Sequence, residues 1–212
     1  METQLQQEQH VKHNKEVSLG KSLVIIVACF IIMVGLGIFA GKKYFWNQFE
    51  QTPVIDKDIK NLLAQIKKDP DKPDKYIELG DLYLEKKDWA KAEEAFQTAL
   101  KIQPQGTRAQ YNLAVTYMAQ NRFQEAQKLL GPLANQYQNL DYVQFNAGIT
   151  LFELGKYEPA LLCFKAAAKL QPGGADIWYY MGQAYEKTGN REEARKSFEK
   201  ALSYYPTYKE AQ

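Results

Sequence analysis

The stretch AGITLFELGKYEPALLCFKAAAKLQP, residues 147–172, decides how this chain folds, because its pattern recurs. Residues 181–206 read MGQAYEKTGNREEARKSFEKALSYYP, residues 113–138 LAVTYMAQNRFQEAQKLLGPLANQYQ, and residues 79–104 LGDLYLEKKDWAKAEEAFQTALKIQP. The pairs Leu79-Gly80, Leu113-Ala114, Ala147-Gly148 and Met181-Gly182 stand 34 residues apart, without insertion or deletion. Three residues beyond each pair comes Tyr83, Tyr117, Leu151 or Tyr185. Nine further on is Ala92, Ala126, Ala160 or Ala194, and four beyond that Phe96, Leu130, Phe164 or Phe198. Pro104, Pro172 and Pro206 close three of the units.

Spacings of three and four keep residues on one face of a helix. Each unit therefore holds two apolar stripes on two helices. Small residues let those helices approach, and aromatic side chains fill the space beside them. Asn121, Gly155 and Gly189 suit a left-handed helix C-cap between the stripes; Lys87 holds the same slot in the first unit and suits it less. A single helix pair cannot bury its stripe alone, so neighbouring pairs must stack. In the second unit Gly131-Pro132 falls inside the second helix. Proline removes one hydrogen bond and clashes one turn back, so a kink or an early end is expected there. Pro159 stands near a helix start, where proline is tolerated.

The pattern resembles the tetratricopeptide repeat family over Pro73 to Tyr208, in the form of bacterial members with an N-terminal membrane helix. The fold class expected is all-α: a right-handed superhelical solenoid of four helix-pair repeats, 73–106, 107–140, 141–174 and 175–208. Before it, residues 44–72 hold a linker and an amphipathic helix over Val54–Lys68, whose Ile55, Ile59, Leu62 and Ile66 would cover the first repeat. No such helix is expected after the last repeat, where Tyr204, Tyr205 and Tyr208 cluster as a solvated aromatic end or a self-association surface.

Residues 22–43 read as a transmembrane helix and residues 1–21 as a disordered tail rich in Gln and Glu. Ser22–Gly41 carries no charge, and twelve of its residues are Leu, Ile, Val or Phe. At helical rise it spans about 30 Å, the thickness of a hydrocarbon core. Lys21 and Lys42-Lys43 bracket it, and Tyr44-Phe45-Trp46 follows, as membrane interfaces favour. A cleaved signal peptide fits less well, because Ile38-Phe39-Ala40 is a poor cleavage site. Ile26-Val27-Ala28-Cys29 has the look of a lipobox, but mostly apolar residues follow Cys29. Three lysines before the span against two after it weakly favour an N-terminus inside, placing the repeats outside a bacterial cytoplasmic membrane. A cytosolic array stays open.

The chain has 27 basic and 25 acidic residues; beyond residue 43 the two balance at 22 each. A formally neutral globular part argues against nucleic acid as partner, since phosphate binding needs a basic excess. Cys163 is the single cysteine outside the apolar span and sits next to a packing position, so partial burial is expected. His10 and His13 both lie in the tail, and no metal site is expected. Phosphate loop, nucleophile elbow and Cys/His cluster are all missing. No cofactor and no enzyme activity are expected. Glu93-Glu94 and Glu192-Glu193 read as solvated helix-start charges.

The family resemblance implies that positions two, five, nine and twelve of each first helix line a concave groove. These are Asp74, Ile77, Asp81 and Leu84; Arg108, Tyr111, Val115 and Met118; Tyr142, Phe145, Ile149 and Phe152; and Asp176, Tyr179, Gln183 and Glu186. The middle of that groove is apolar and aromatic, which suits a peptide or protein ligand with apolar anchors. The candidate binding residues are Tyr111, Val115, Met118, Tyr142, Phe145, Ile149, Phe152 and Tyr179. Family members that clamp an acidic chaperone tail use lysine, asparagine and arginine; the matching positions here are Ile77, Asp81, Asn112, Tyr142 and Asn146, of which only Asn112 fits. The expected function is a membrane-anchored scaffold that assists assembly or translocation of envelope proteins. The alternatives are a self-associating structural chain, including a homodimer, and an accessory subunit of a membrane enzyme such as a cytochrome-maturation complex.

Overall fold

The computed structural model describes residues 52–207. The chain divides into two compact units, 1–54 and 55–212. The expected membrane span Ser22–Gly41, the tail with His10 and His13, Cys29, and Tyr208 lie outside the described residues. Among the described residues there are nine α-helices and no strand, and no helix is long and apolar enough to cross a membrane.

The helices are α1 (Thr52–Lys68), α2 (Pro73–Glu85), α3 (Trp89–Ile102), α4 (Thr107–Ala119), α5 (Phe123–Gln136), α6 (Asp141–Glu153), α7 (Tyr157–Leu170), α8 (Ala175–Lys187) and α9 (Arg191–Tyr204). Each helix from α2 onward packs on the next, and the first helices α2, α4, α6 and α8 also touch in succession. The result is an all-α solenoid of four helix pairs. Ile55, Ile59, Leu62 and Ile66 of α1 form a buried cluster with Leu79 and Ala95. Lys86 reaches Asp56, and Lys75 donates to the Gln65 carbonyl (3.3 Å), both tying α1 to the first pair.

The turn inside each pair repeats one hydrogen bond. The N–H groups of Asp88, Arg122, Lys156 and Asn190 donate to the carbonyls of Tyr83, Tyr117, Leu151 and Tyr185, all at 2.8–2.9 Å. That closure needs a left-handed residue just before the donor. Gly155 and Gly189 supply it (φ 73° and 79°), and so do Asn121 and Lys87 (59° and 58°). The poor fit expected of Lys87 is thus forced into the same geometry, because the next helix must start in register.

The core lies between the paired helices. Phe96 and Phe164 have no exposed surface, and Leu130 fills the equivalent place in the second unit. Pro132 does not end α5 early. The helix has 14 residues, as α3, α7 and α9 have. Leu133 and Ala134, beyond the proline, are buried in the core, and that burial holds the turn where local propensity would release it. Glu93 also departs from expectation. Its side chain is only 18% exposed and accepts from Arg122 (2.7 Å) of the next unit, which also bonds Glu125 (2.9 Å). Glu192 and Glu193 are exposed and pair with Arg195 and Lys196, as solvated charges do.

Candidate peptide-binding groove

The successive contacts of α2, α4, α6 and α8 put their free faces side by side. Seven of the eight predicted groove residues are half-buried, and Tyr142 is 45% exposed. Ile77 is different. The resemblance pointed it inward to the groove, but it is 4% exposed and belongs to the core. Tyr111 and Met118 lean on the core of the first two pairs; Phe145, Ile149 and Phe152 lean on the core of the last two. Each keeps part of its surface in solvent.

Polar side chains fix this row from unit to unit. Asn146 donates to the Tyr111 hydroxyl (2.6 Å), and the Tyr142 ring meets Tyr111 edge-on at 4.9 Å. Burial pushes the Tyr111 phenol upward from its ordinary pKa, against the opposing pull of the Asn146 amide. One unit earlier, Asn112 and Arg108 both donate to Asp81 (2.6 Å each). Asn112, the single match to a carboxylate clamp, is therefore engaged within the protein. Gln183 donates to the Tyr179 hydroxyl (3.0 Å).

The structure adds Tyr180, which the sequence reading missed. Its ring meets Phe145 at 5.6 Å, Phe152 at 6.0 Å, Phe164 at 5.8 Å and its neighbour Tyr179 at 5.8 Å. It joins the candidate row of α6 to that of α8. Position six of the first helices holds Asn112 and Asn146 in the preceding units, so the recurring pattern reads as polar. The available signal was an aromatic residue at a polar slot. Tyr204 and Tyr205 are exposed at 41% and 54%; Lys200 sits over the Tyr204 ring at 5.0 Å.

Two recesses lie away from this row. One of about 640 Å³, between α5, α6 and α7, is lined by Gln144, Leu162 and Cys163 among others. Burial raises the Cys163 thiol pKa. The other, about 480 Å³, runs along α9 past Phe198 and Leu202. Among the described residues no three His, Cys, Asp or Glu side chains gather as a metal-holding group.

Stacked helix pairs at this period, with a shared face of first helices, define a tetratricopeptide-repeat scaffold. Family models agree. Two described as tetratricopeptide repeat match residues 83–145 and 175–208, and a third, TPR repeat, matches 148–189. The chain belongs to the tetratricopeptide repeat family. It is similar to Superkiller protein 3 of Schizosaccharomyces pombe, 21% identical over 154 residues, covering 69% of this chain and 11% of that protein. It is also similar to the peroxisomal targeting signal receptor of Candida albicans, 21% identical over 187 residues, covering 68% of this chain and 32% of the receptor. The chain thus spans about a tenth and a third of these two relatives. Among solved structures, YrrB, described as a TPR protein with an unusual peptide-binding site, superimposes with a TM-score of 0.68 at 23% identity, covering 78% of this chain and 85% of YrrB. MamA gives 0.68 at 21% identity, covering 75% and 93%. These likenesses describe the fold.

Proposed function

We propose that this protein is a non-catalytic scaffold that holds an extended or helical peptide segment of a partner protein along α4, α6 and α8. The observation that carries the reading is the linked row of half-exposed Tyr111, Tyr142, Phe145, Phe152 and Tyr180, cross-bonded between units yet left partly in solvent. Soluble domains seldom leave such a row uncovered without a use, and aromatic residues are favoured binding hot spots. That YrrB is described by a peptide-binding site, and a curated relative named for a targeting signal, supports the same reading.

Ser22–Gly41 anchors this scaffold in a bilayer, in this proposal, with the array outside a bacterial cytoplasmic membrane, where it assists assembly or translocation of envelope proteins. Its charge-free length and flanking lysines support the anchor. Resistance of the chain to alkaline extraction from membranes tests it; release into the soluble fraction rejects it.

The groove is tested by a photo-crosslinking residue placed at Tyr142 or, as control, at Leu162 on the second-helix side, 70% exposed. Adducts in native membranes are expected from position 142 alone. Adducts from 162 alone would reject the groove.

A second reading, self-association or service as an accessory subunit through the end of the array, rests on one observation. Phe164 is fully buried beneath the unit that follows it, whereas its counterpart Phe198 is half-buried beside the 480 Å³ recess. Concentration-dependent sedimentation abolished by Tyr204→Glu with Tyr205→Glu would favour it.

A further inference from the structure

Resting on the groove reading above, we infer that the bound segment is basic as well as apolar, and that an arginine or lysine side chain seats where Phe152 and Tyr180 meet Glu153 and Asp176.

Charge is segregated between the two helix layers. The four first helices hold eight acidic and three basic residues, a formal −5. The four second helices hold seven acidic and nine basic residues, a formal +2. A near-neutral domain thus conceals an acidic layer, and that layer is the one carrying the aromatic row. Two of its three bases are already engaged: Lys75 turns back to the Gln65 carbonyl of α1 and to Asp69, and Arg108 is held by Asp81. Along α4, α6 and α8, which carry the row, four acidic residues stand against two basic ones, a formal −2. Charge of that sign repels anionic ligands and attracts cationic ones, so complementarity selects a basic segment.

The seat itself lies between the third and fourth units. Tyr180 stands nearly perpendicular to both Phe145 and Phe152, at 75° and 83°, so the three rings form a corner. Glu153 follows Phe152 at the end of α6, and Asp176 stands one helical turn before Tyr180 on α8. Burial, and after it the charges of Glu153 and Asp176, push the Tyr180 phenol upward. Glu153 and Asp176 are exposed to solvent. Rings attract a cation to their faces, and carboxylates bind it at the edge. A guanidinium can do both at once, which favours arginine over lysine.

Panning a phage library of random 12-residue peptides on the detergent-solubilised full chain tests the inference. Selected peptides are then titrated by fluorescence anisotropy against the wild type, the Glu153→Lys/Asp176→Lys variant and the Tyr111→Ala/Phe152→Ala variant, with helicity checked by circular dichroism. The expected result is enrichment of Arg or Lys beside Phe, Leu or Trp. Affinity should drop about tenfold on charge reversal and return when the peptide's Arg becomes Glu. Apolar peptides without basic enrichment, sensitive to Tyr111→Ala/Phe152→Ala and indifferent to charge reversal, would overturn the cationic seat and leave the groove standing. Failure to select any peptide, or binding indifferent to both variants, would overturn the groove and the seat with it.

Discussion

Gly148 and Phe164 are matched across the helix pair α6–α7: a Cβ at position 148 would stand 2.5 Å from Cε1 of the Phe164 ring. Phe164 is wholly buried and has nowhere to retreat. The same pairing recurs at Gly182 and Phe198. In the second unit both partners change together, to Ala114 and Leu130, each with no exposed surface. Gly148→Ala should therefore destabilise by about 1–2 kcal/mol, overpacking outweighing the helix propensity gained. Adding Phe164→Leu, which copies the second unit, should recover part of that loss, with a coupling of about 1 kcal/mol. Denaturant unfolding of the two single variants and the double variant measures it; strict additivity would show that the two positions do not share one space.

Lys87 occupies a backbone conformation that L-residues adopt at a cost. The equivalent sites in the third and fourth units are glycines with the same sign of φ. Lys87→Gly should stabilise by roughly 0.5–1 kcal/mol, and Gly155→Ala should destabilise by about as much. The shift in unfolding midpoint checks both. A loss of stability in Lys87→Gly would mean that the extra freedom of the unfolded glycine outweighs the strain removed.

Much of this was legible because the repeat is one-dimensional. A fixed period of 34 aligns small, large and turn residues, and four copies leave little room for another fold. The left-handed turns and the aromatic row follow from residues that recur. What escaped was what does not recur or is not local. Tyr180 stands where two units have asparagine. Glu93 looks solvated until Arg122, 29 residues on, turns back to it. Pro132 obeys a local rule, but Leu133 and Ala134 gain their burial from helices outside the window that rule considers.

Burial raises the Cys163 thiol and the phenols of Tyr111 and Tyr180. Each folded group holds its proton more tightly than its unfolded counterpart. The stability this contributes is complete below the unfolded pKa values, about 8.5 for cysteine and 10 for tyrosine, and is lost as pH rises through the folded values. Unfolding midpoints should stay level near neutral pH and fall above these values. In a Cys29→Ser variant, iodoacetamide should alkylate Cys163 more slowly at neutral pH than it alkylates the denatured chain, because the thiolate is the nucleophile. Equal rates would show that the recess does not suppress ionisation.

Pro132 offers the last test, because its helix survives against local propensity. It is the tenth residue of α5 and lacks the N–H that would bond the Lys128 carbonyl one turn back. Its side chain is exposed, and Gly131 beside it has no neighbour within 4 Å of where a Cβ would be. Removing the ring therefore opens no cavity, while alanine restores the missing donor. A proline in a helix interior costs about 3 kcal/mol relative to alanine, and part of that is already absorbed by the burial of Leu133 and Ala134. Pro132→Ala should stabilise the array by roughly 1–3 kcal/mol. It should also slow amide exchange in the last two turns of α5. If stability fell instead, the path that proline imposes on α5 would have to be required by the packing of α6 and α7 against it.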